Sequence, residues 1–319
     1  MFKLIQYFIK ETLVAFYKNK DKYIVQKRVV KNNNILSSEN FEFEEEEFIK
    51  FINSCFIENT QTYISTIIDT FNQGVVDSCN HSKYRELGIN LDNIKILCLK
   101  DYSIFIGLYE INQFQKEMKK FKVDYIFSPY LLIDLNKKNT PNTLYILYSS
   151  NFVILLIYED AHKPKYSNIY QFKVEEAEET IENNNEDEII EDFDDSIDDL
   201  VDDIEEIDDI EDLDDIDEEI EHIDNIDDLD DTTSSKNIQD EMLDAKNEIE
   251  TIDFIKNSIK DYYESYSDKF LENGYIFYDE DISDKFVKNI EEETFLEIKQ
   301  EKIDILDIIN DLSLKEINV

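Results

Sequence analysis

The stretch Lys122-Val123-Asp124-Tyr125-Ile126-Phe127-Ser128-Pro129-Tyr130-Leu131-Leu132-Ile133 decides the reading of this chain. Residues 123–127 have the β-branched and aromatic content of a short strand, Pro129 interrupts it, and residues 130–133 form an unbroken apolar run. Just upstream, Asn112 is placed to cap a helix whose apolar stripe is Phe114, Met118 and Phe121. Just downstream, residues 143–148 and 152–158 read as a hairpin closed by Ser149-Ser150-Asn151, followed by a third strand over residues 166–172.

Further out the alternation of strands and helices continues. Residues 12–17 and 23–30 flank the turn-forming Asn19-Lys20-Asp21 and predict another hairpin. A helix should follow, with Glu44 to Glu47 facing the positive end of its dipole and Phe48, Phe51, Ile52, Cys55 and Phe56 on its buried face. Residues 62–68, 94–99 and 102–109 read as strands. Near the C-terminus, Ile252, Ile255, Ile259, Tyr262 and Tyr266 form a helical stripe that resumes regular structure near Asn247. A strand over 275–278, a helix capped by Ser283 and carrying Phe286, Val287 and Ile290, a strand over 295–298 and a helix over 305–314 complete the pattern.

The charge is concentrated in one segment. The 319 residues carry 32 basic and 76 acidic side chains, a net charge of −44. Residues 1–173 are close to neutral, whereas residues 174–244 hold 36 acidic side chains and a single base, Lys236. In this segment Ile197, Leu200, Ile204, Ile207, Ile210, Leu213, Ile216, Ile220, Ile223, Ile226 and Leu229 recur mostly every third residue. A period of three winds round an α-helix instead of forming a stripe, and like charges at i,i+3 and i,i+4 repel. The segment therefore reads as a low-complexity, disordered insert.

Composition excludes several kinds of chemistry. The four glycines lie at least 14 positions apart, so neither a dinucleotide-binding glycine loop nor a phosphate-binding P-loop can form. Three histidines and three cysteines, with no Cys-x-x-Cys pair, leave no four-ligand zinc cluster. The first 16 residues are interrupted by Lys3, Gln6, Lys10 and Glu11, unlike a signal peptide, and no run approaches the ~20 apolar residues of a membrane span. Cysteine usage fits a reducing cytoplasm. Cys79-Asn80-His81 places a thiol beside an imidazole but reads as loop, and Cys55 and Cys98 read as core residues. The acidic insert lacks the glycine of a calcium-binding EF-hand loop. A floppy acidic run is also a poor mimic of a nucleic-acid backbone. Ser149-Ser150-Asn151 and Asp279-Glu280-Asp281 stand where a hairpin turn and a strand-to-helix loop could meet a phosphate, although three carboxylates repel one unless a cation intervenes.

The order of elements, with residues 122–133 at its centre and Gly274-Tyr275-Ile276-Phe277-Tyr278-Asp279-Glu280-Asp281-Ile282-Ser283 in its later half, resembles the PilM and GspL kind of actin-like protein. These are cytoplasmic assembly components of type IV pilus and type II secretion machines. The resemblance implies an α/β, actin-like (RNase H-like) two-lobe fold. Residues 1–132 would form the first lobe, 133–173 the start of the second, 174–244 the acidic insert and 245–319 the remainder of the second lobe. ATP-binding members have an Asp-x-Gly turn in the hairpin and paired glycines after the late strand. Here Ser149, Ser150 and Asn151, and Asp279 and Asp281, occupy those vestigial phosphate-loop positions. The resemblance then implies a protein without catalysis, cofactor or metal, acting as a scaffold of a pilus-like, secretion or DNA-uptake machine. Its partner would be the cytoplasmic segment of an inner-membrane assembly protein, with no nucleic acid bound directly and a cytoplasmic, membrane-peripheral location. GspL-type chains carry a membrane span, which favours the PilM-like alternative. An acidic adaptor or nucleic-acid mimic, working through residues 174–231 on a basic protein, is the competing expectation.

Overall fold

A computed structural model describes residues 10–56, 61–172, 231–267 and 269–318. In chain order the first half contains β1 (Glu11–Asn19), β2 (Lys22–Lys31), β3 (Asn34–Phe43), α1 (Glu45–Cys55), β4 (Gln61–Ile67), β5 (Gln73–Val76), α2 (His81–Glu86), β6 (Ile94–Cys98), β7 (Ser103–Gly107), α3 (Leu108–Glu117), β8 (Tyr125–Phe127) and α4 (Tyr130–Asn136). The second half contains β9 (Thr143–Tyr148), β10 (Phe152–Tyr158), β11 (Tyr166–Gln171), α5 (Asp231–Ser265), β12 (Asn273–Tyr278), α6 (Asp284–Thr294), β13 (Ile298–Lys302) and α7 (Ile305–Ile317).

The two halves build the same sheet. The first has the order β3-β2-β1-β4-β8 and the second β11-β10-β9-β12-β13. In the first, β1 runs antiparallel to β2, β2 antiparallel to β3, and β4 lies parallel to both β1 and β8. In the second, β9, β10 and β11 form the antiparallel part, while β12 lies parallel to β9 and β13. Strands covered on both faces carry continuous apolar runs. Leu13 to Phe16 of β1 are buried, as is every residue of β9 and β10. A third, three-stranded sheet, β5-β7-β6, is inserted after β4.

Helices cover the sheets in a reciprocal way. On the outer face of the first sheet, Phe48, Ile52 and Cys55 of α1 pack against Val14, Phe16, Val25 and Ile64. Tyr23 stacks on Phe48 at 4.2 Å between ring centroids, a contact worth about 0.5–1.5 kcal/mol beyond the area it buries. On the outer face of the second sheet, Ile255 and Tyr262 of α5 and Phe286, Val287 and Ile290 of α6 pack against Leu144, Ile146, Val153 and Leu155. Between the sheets lie α4 and α7, and each belongs by sequence to the opposite half. The helix α4 follows the first sheet yet packs on β9 and β10, and α7 follows the second sheet yet packs on β1, β2 and β4. Leu131 to Ile133, Ile305, Leu306, Ile309 and Leu312 thus join one core with Ala15, Tyr145, Leu147 and Phe277. Two such sheets with exchanged central helices make the two-lobed, actin-like α/β fold expected from the sequence. Within residues 245–319, α7 lays its apolar face on the first sheet.

Several other expectations need correction. The edge strand β3 is mostly exposed and polar, so its sequence carries no strand pattern; Asn32 and Asn33, both at positive φ, turn the chain into it. The helix expected to be capped by Asn112 begins earlier, at Leu108. The strand expected at 295–298 lies at Ile298–Lys302, and Phe295 instead ends α6 in the left-handed conformation, 92% exposed. Cys98 is exposed because β6 is an edge strand. The acidic stretch expected to be disordered lies outside the described residues as far as Asp230, but α5 begins at Asp231, well before Asn247. Its most buried positions are Asn247, Thr251, Ile255, Ser258 and Tyr262, so small polar residues let the helix approach the sheet and Ser258 meets Asn168 at 3.0 Å. Among the described residues no helix is long and apolar enough to cross a membrane.

The exchange of α7 is fixed by a buried charge. The Arg28 side chain on β2 is 4% exposed and donates to Asp311, at 2.6 Å, and to Asp307, one turn apart on α7. It also donates to Gln26, which accepts in turn from Asn310 at 2.9 Å. Replacing Arg28 by alanine leaves Gln26 and Asn310 buried beside two unmatched carboxylates. Asp307 and Asp311 are more than half exposed, so the cost of Arg28→Ala comes from the lost hydrogen bonds and packing; it should be about 1–2 kcal/mol of unfolding free energy, read by chemical denaturation, and loosen α7 first in hydrogen exchange. A loss below ~0.5 kcal/mol would show that apolar packing alone seats the helix.

Candidate functional site

The parallel strands of both sheets end at one cleft. In the second sheet Tyr148 of β9 is paired with Tyr278 of β12. One residue beyond them stand Ser149 and Asp279, the Ser149 hydroxyl donating to the Asp279 carboxylate at 3.3 Å. In the first sheet Phe16 of β1 is paired with Thr66 of β4, so that Asn19 and Asp69 each stand three residues further on. Carboxyl ends of parallel strands are where open α/β sheets place ligands, because loops there can diverge.

In this chain the two hairpin turns are bonded to each other across that cleft. Tyr17, at the end of β1, donates its hydroxyl to Asp279 at 3.2 Å. Asn19 donates to Glu280 at 2.6 Å, and Asn151 donates its side-chain amide to the carbonyl of Lys18. The turn of the second hairpin is itself held by Ser149 N–H on Phe152 O, 3.0 Å, and by Phe172 N–H on Asn151 O, 2.9 Å. Asp279 also accepts from the Glu280 N–H at 3.2 Å. Its donors are thus two hydroxyls and a backbone amide, with no basic side chain among them. Burial, reinforced by the neighbouring Glu280, pushes the Asp279 carboxyl up to about 6. Burial, followed by the charges of Asp279 and Glu280, pushes the Tyr17 phenol up as well.

Of the five positions singled out in the sequence, Ser149, Asn151 and Asp279 form this seam. The Ser150 hydroxyl is buried nearby without a hydrogen-bond partner. Asp281 stands at the rim, largely exposed and paired with Lys302 at 2.6 Å. Tyr17, Asn19 and Asp69 were not foreseen. In the sequence Asn19 reads as turn chemistry alone, and the signal that marks it is the internal repeat, which places the first hairpin's turn opposite the second's. Asp69 is half-buried, and desolvation raises its carboxyl pKa. Beside the seam lies a cavity of about 410 Å³, walled by Tyr17, Ile24, Asp279, Lys302, Asp304 and Ile305. Among the described residues no group of three or more His, Cys, Asp or Glu side chains is placed to hold a metal ion.

Phosphate binding needs backbone N–H groups that converge on open space, which glycine permits. The seam instead presents carboxylates, and the side-chain amides of Asn19 and Asn151 are spent on Glu280 and on the Lys18 carbonyl. Cys79-Asn80-His81 forms no nucleophilic pair: the Cys79 thiol points at the carbonyls of Tyr102, at 3.4 Å, and Leu99, at 3.5 Å, while Asn80 caps α2 by accepting from Ser82 N–H.

The chain belongs to the family described as domain of unknown function DUF8341, which matches residues 144–318. Residues 8–134 match a second domain of unknown function, DUF8569, so the two families meet in the segment joining α4 to β9. No curated protein matches the chain in sequence. Among solved structures it is similar to a Bacteroides thetaiotaomicron protein described as having an actin-like ATPase fold and unknown function, with 9% identity over 95% of each chain and a TM-score of 0.45. It is also similar to a PilM–PilN type IV pilus biogenesis complex, at 6% identity over 91% of this chain and 88% of that one, with a TM-score of 0.47. The ethanolamine utilization protein EutJ from Carboxydothermus hydrogenoformans matches at 6% identity over 91% and 84%, with a TM-score of 0.38.

The raised pKa of Asp279 makes stability pH-dependent with a definite sign. Its folded value, about 6, lies above its ordinary 3.8, so the fold binds the proton more tightly than the unfolded chain does. This contribution is complete below pH ~4 and is lost as pH rises through about 6. Carbon-detected NMR titration should give Asp279 a midpoint near 6, and Asp279→Asn should flatten the stability profile between pH 4 and 6. A midpoint near 4 would mean that water reaches the seam freely.

Proposed function

We propose that this protein is a non-catalytic scaffold in which contacts between the lobes have taken the place of a nucleotide. The observation that carries this reading is the seam itself: Tyr17 and Ser149 both bonded to Asp279, Asn19 bonded to Glu280, and Asn151 bonded to the Lys18 carbonyl. A nucleotide's phosphates entering here would have to break these bonds and then lie against carboxylates, a cost that grows as the site becomes drier. Ser149, Ser150, Asn151, Asp279 and Asp281 are accordingly read as vestigial phosphate-loop positions, of which Asn151 and Asp279 now join the lobes. A scaffold gains from this, because the relative position of the two sheets no longer depends on a bound cofactor.

The role in a pilus-like, secretion or DNA-uptake machine comes from the sequence resemblance and is proposed with it. The partner is taken to be the cytoplasmic segment of an inner-membrane assembly protein, and the location the cytoplasmic side of that membrane. In-cell crosslinking of the tagged full chain, followed by mass spectrometry, tests this. Capture of membrane assembly proteins, retained when residues 174–230 are deleted, is the expected outcome. Capture of basic nucleic-acid proteins, lost with that deletion, would overturn it in favour of an acidic adaptor.

A further inference from the structure

The Cys79 thiol has no role in the cleft, yet it does not stand alone. β7 lies between β5 and β6, and its Ser103 is paired with Val76 of β5 on one side and with Cys98 of β6 on the other. Three residues beyond Val76 the chain returns over the β6–β7 turn, so that the Cys79 thiol meets the carbonyls of Leu99 and Tyr102. These two residues close that turn through a 2.8 Å backbone hydrogen bond, and Cys98 is the next residue along. Burial, reinforced by the neighbouring Cys98, pushes the Cys79 thiol up to about 11, so the half-buried sulfur is the slower nucleophile of the two. Cys98 is exposed on its edge strand, whereas Cys79 is half-buried.

The geometry points to Cys79 and Cys98 as a redox modification site, a dithiol that closes to a disulfide and staples the 77–80 loop to the β6–β7 turn. The oxidant is a low-molecular-weight disulfide such as oxidised glutathione. The Cys98 thiolate attacks one sulfur of that disulfide, forming a mixed disulfide and releasing one reduced thiol. The Cys79 sulfur, having lost its proton to solvent, then attacks the Cys98 sulfur and expels the second reduced thiol. Two protein thiols are oxidised and one small disulfide is reduced to two thiols. The division of roles follows from access: the exposed sulfur is reached first and its sheltered neighbour resolves it.

The staple acts on a connected part of the structure. The Ser103 hydroxyl is bonded to the fully buried Tyr84 of α2 at 2.6 Å and donates to the Ser78 carbonyl at 2.5 Å. Asn80, next to Cys79, caps α2. Closing the disulfide therefore fixes the start of α2 and one end of the small sheet together, and in a reducing compartment it would form only under oxidative load.

The full chain treated with oxidised glutathione, alkylated and digested, provides the test. The expected result is a chain lighter by two hydrogens, with the Cys79 and Cys98 peptides joined, and slowed hydrogen exchange in residues 77–86. In Cys79→Ser, glutathione should remain on Cys98, and Cys98→Ser should block modification of Cys79. Glutathione remaining on Cys98 in the unaltered chain, or disulfides formed only between separate chains, would overturn the proposal. Serine differs from cysteine by one atom, and circular dichroism of each variant verifies that it is folded.

Discussion

The exchange of central helices is the constraint on which the rest of this structure depends. Each sheet has one face covered by helices of its own half, and the other face is completed by a helix from the opposite half: α4 on the second sheet and α7 on the first. Neither sheet can bury both faces without the other half of the chain, because an uncovered face would leave strands such as β9 and β10, apolar throughout, against water. The Arg28 cluster adds direction to this packing. A buried guanidinium must be met by acceptors, and Asp307, Asp311 and Gln26 supply them only when α7 is seated in register.

The cleft follows from the same arrangement. With the central helices holding the sheets, the ends of β1 and β9 bring their hairpin turns opposite each other. What occupies the space between them is decided by side chains. In this chain those side chains are amides, hydroxyls and carboxylates that pair across the gap, and the partly desolvated Asp279 lies at their centre. Asp279 is hydrogen-bonded to two hydroxyls and a backbone amide and to no basic side chain, and burial raises its carboxyl, which suits a junction between lobes.

Much of the fold was legible because burial writes itself into sequence. The central strands announce themselves as apolar runs, and α1 and α6 as stripes at helical spacing; Ser283 is the cap it was read to be, accepting from Phe286 N–H at 3.0 Å. What escaped has physical reasons. The strand β3 is held by its backbone pairing to β2 and buries little, so its side chains carry no pattern. Helix α5 packs through Thr251, Ile255 and Ser258, two of them small and polar, while Ile252 and Ile259, which also marked it in sequence, flank the contact. The packing of α7 on the first sheet is a long-range fact that no local pattern could give. In the site, Ser149, Asn151 and Asp279 stand out in the sequence through their place in the order of elements. Tyr17 and Asn19 carry no such signal, because a strand explains the first and a hairpin turn the second equally well, and their partners lie some 260 positions away.

The central claim is that bonds between the lobes stand where a nucleotide would bind. Isothermal titration calorimetry of the full chain with Mg²⁺-ATP at neutral pH tests it most directly. The account predicts heats no larger than those of dilution up to millimolar nucleotide. A saturable heat of one site per chain, abolished by Asp279→Lys or Ser150→Asp yet leaving the fold intact, would contradict it.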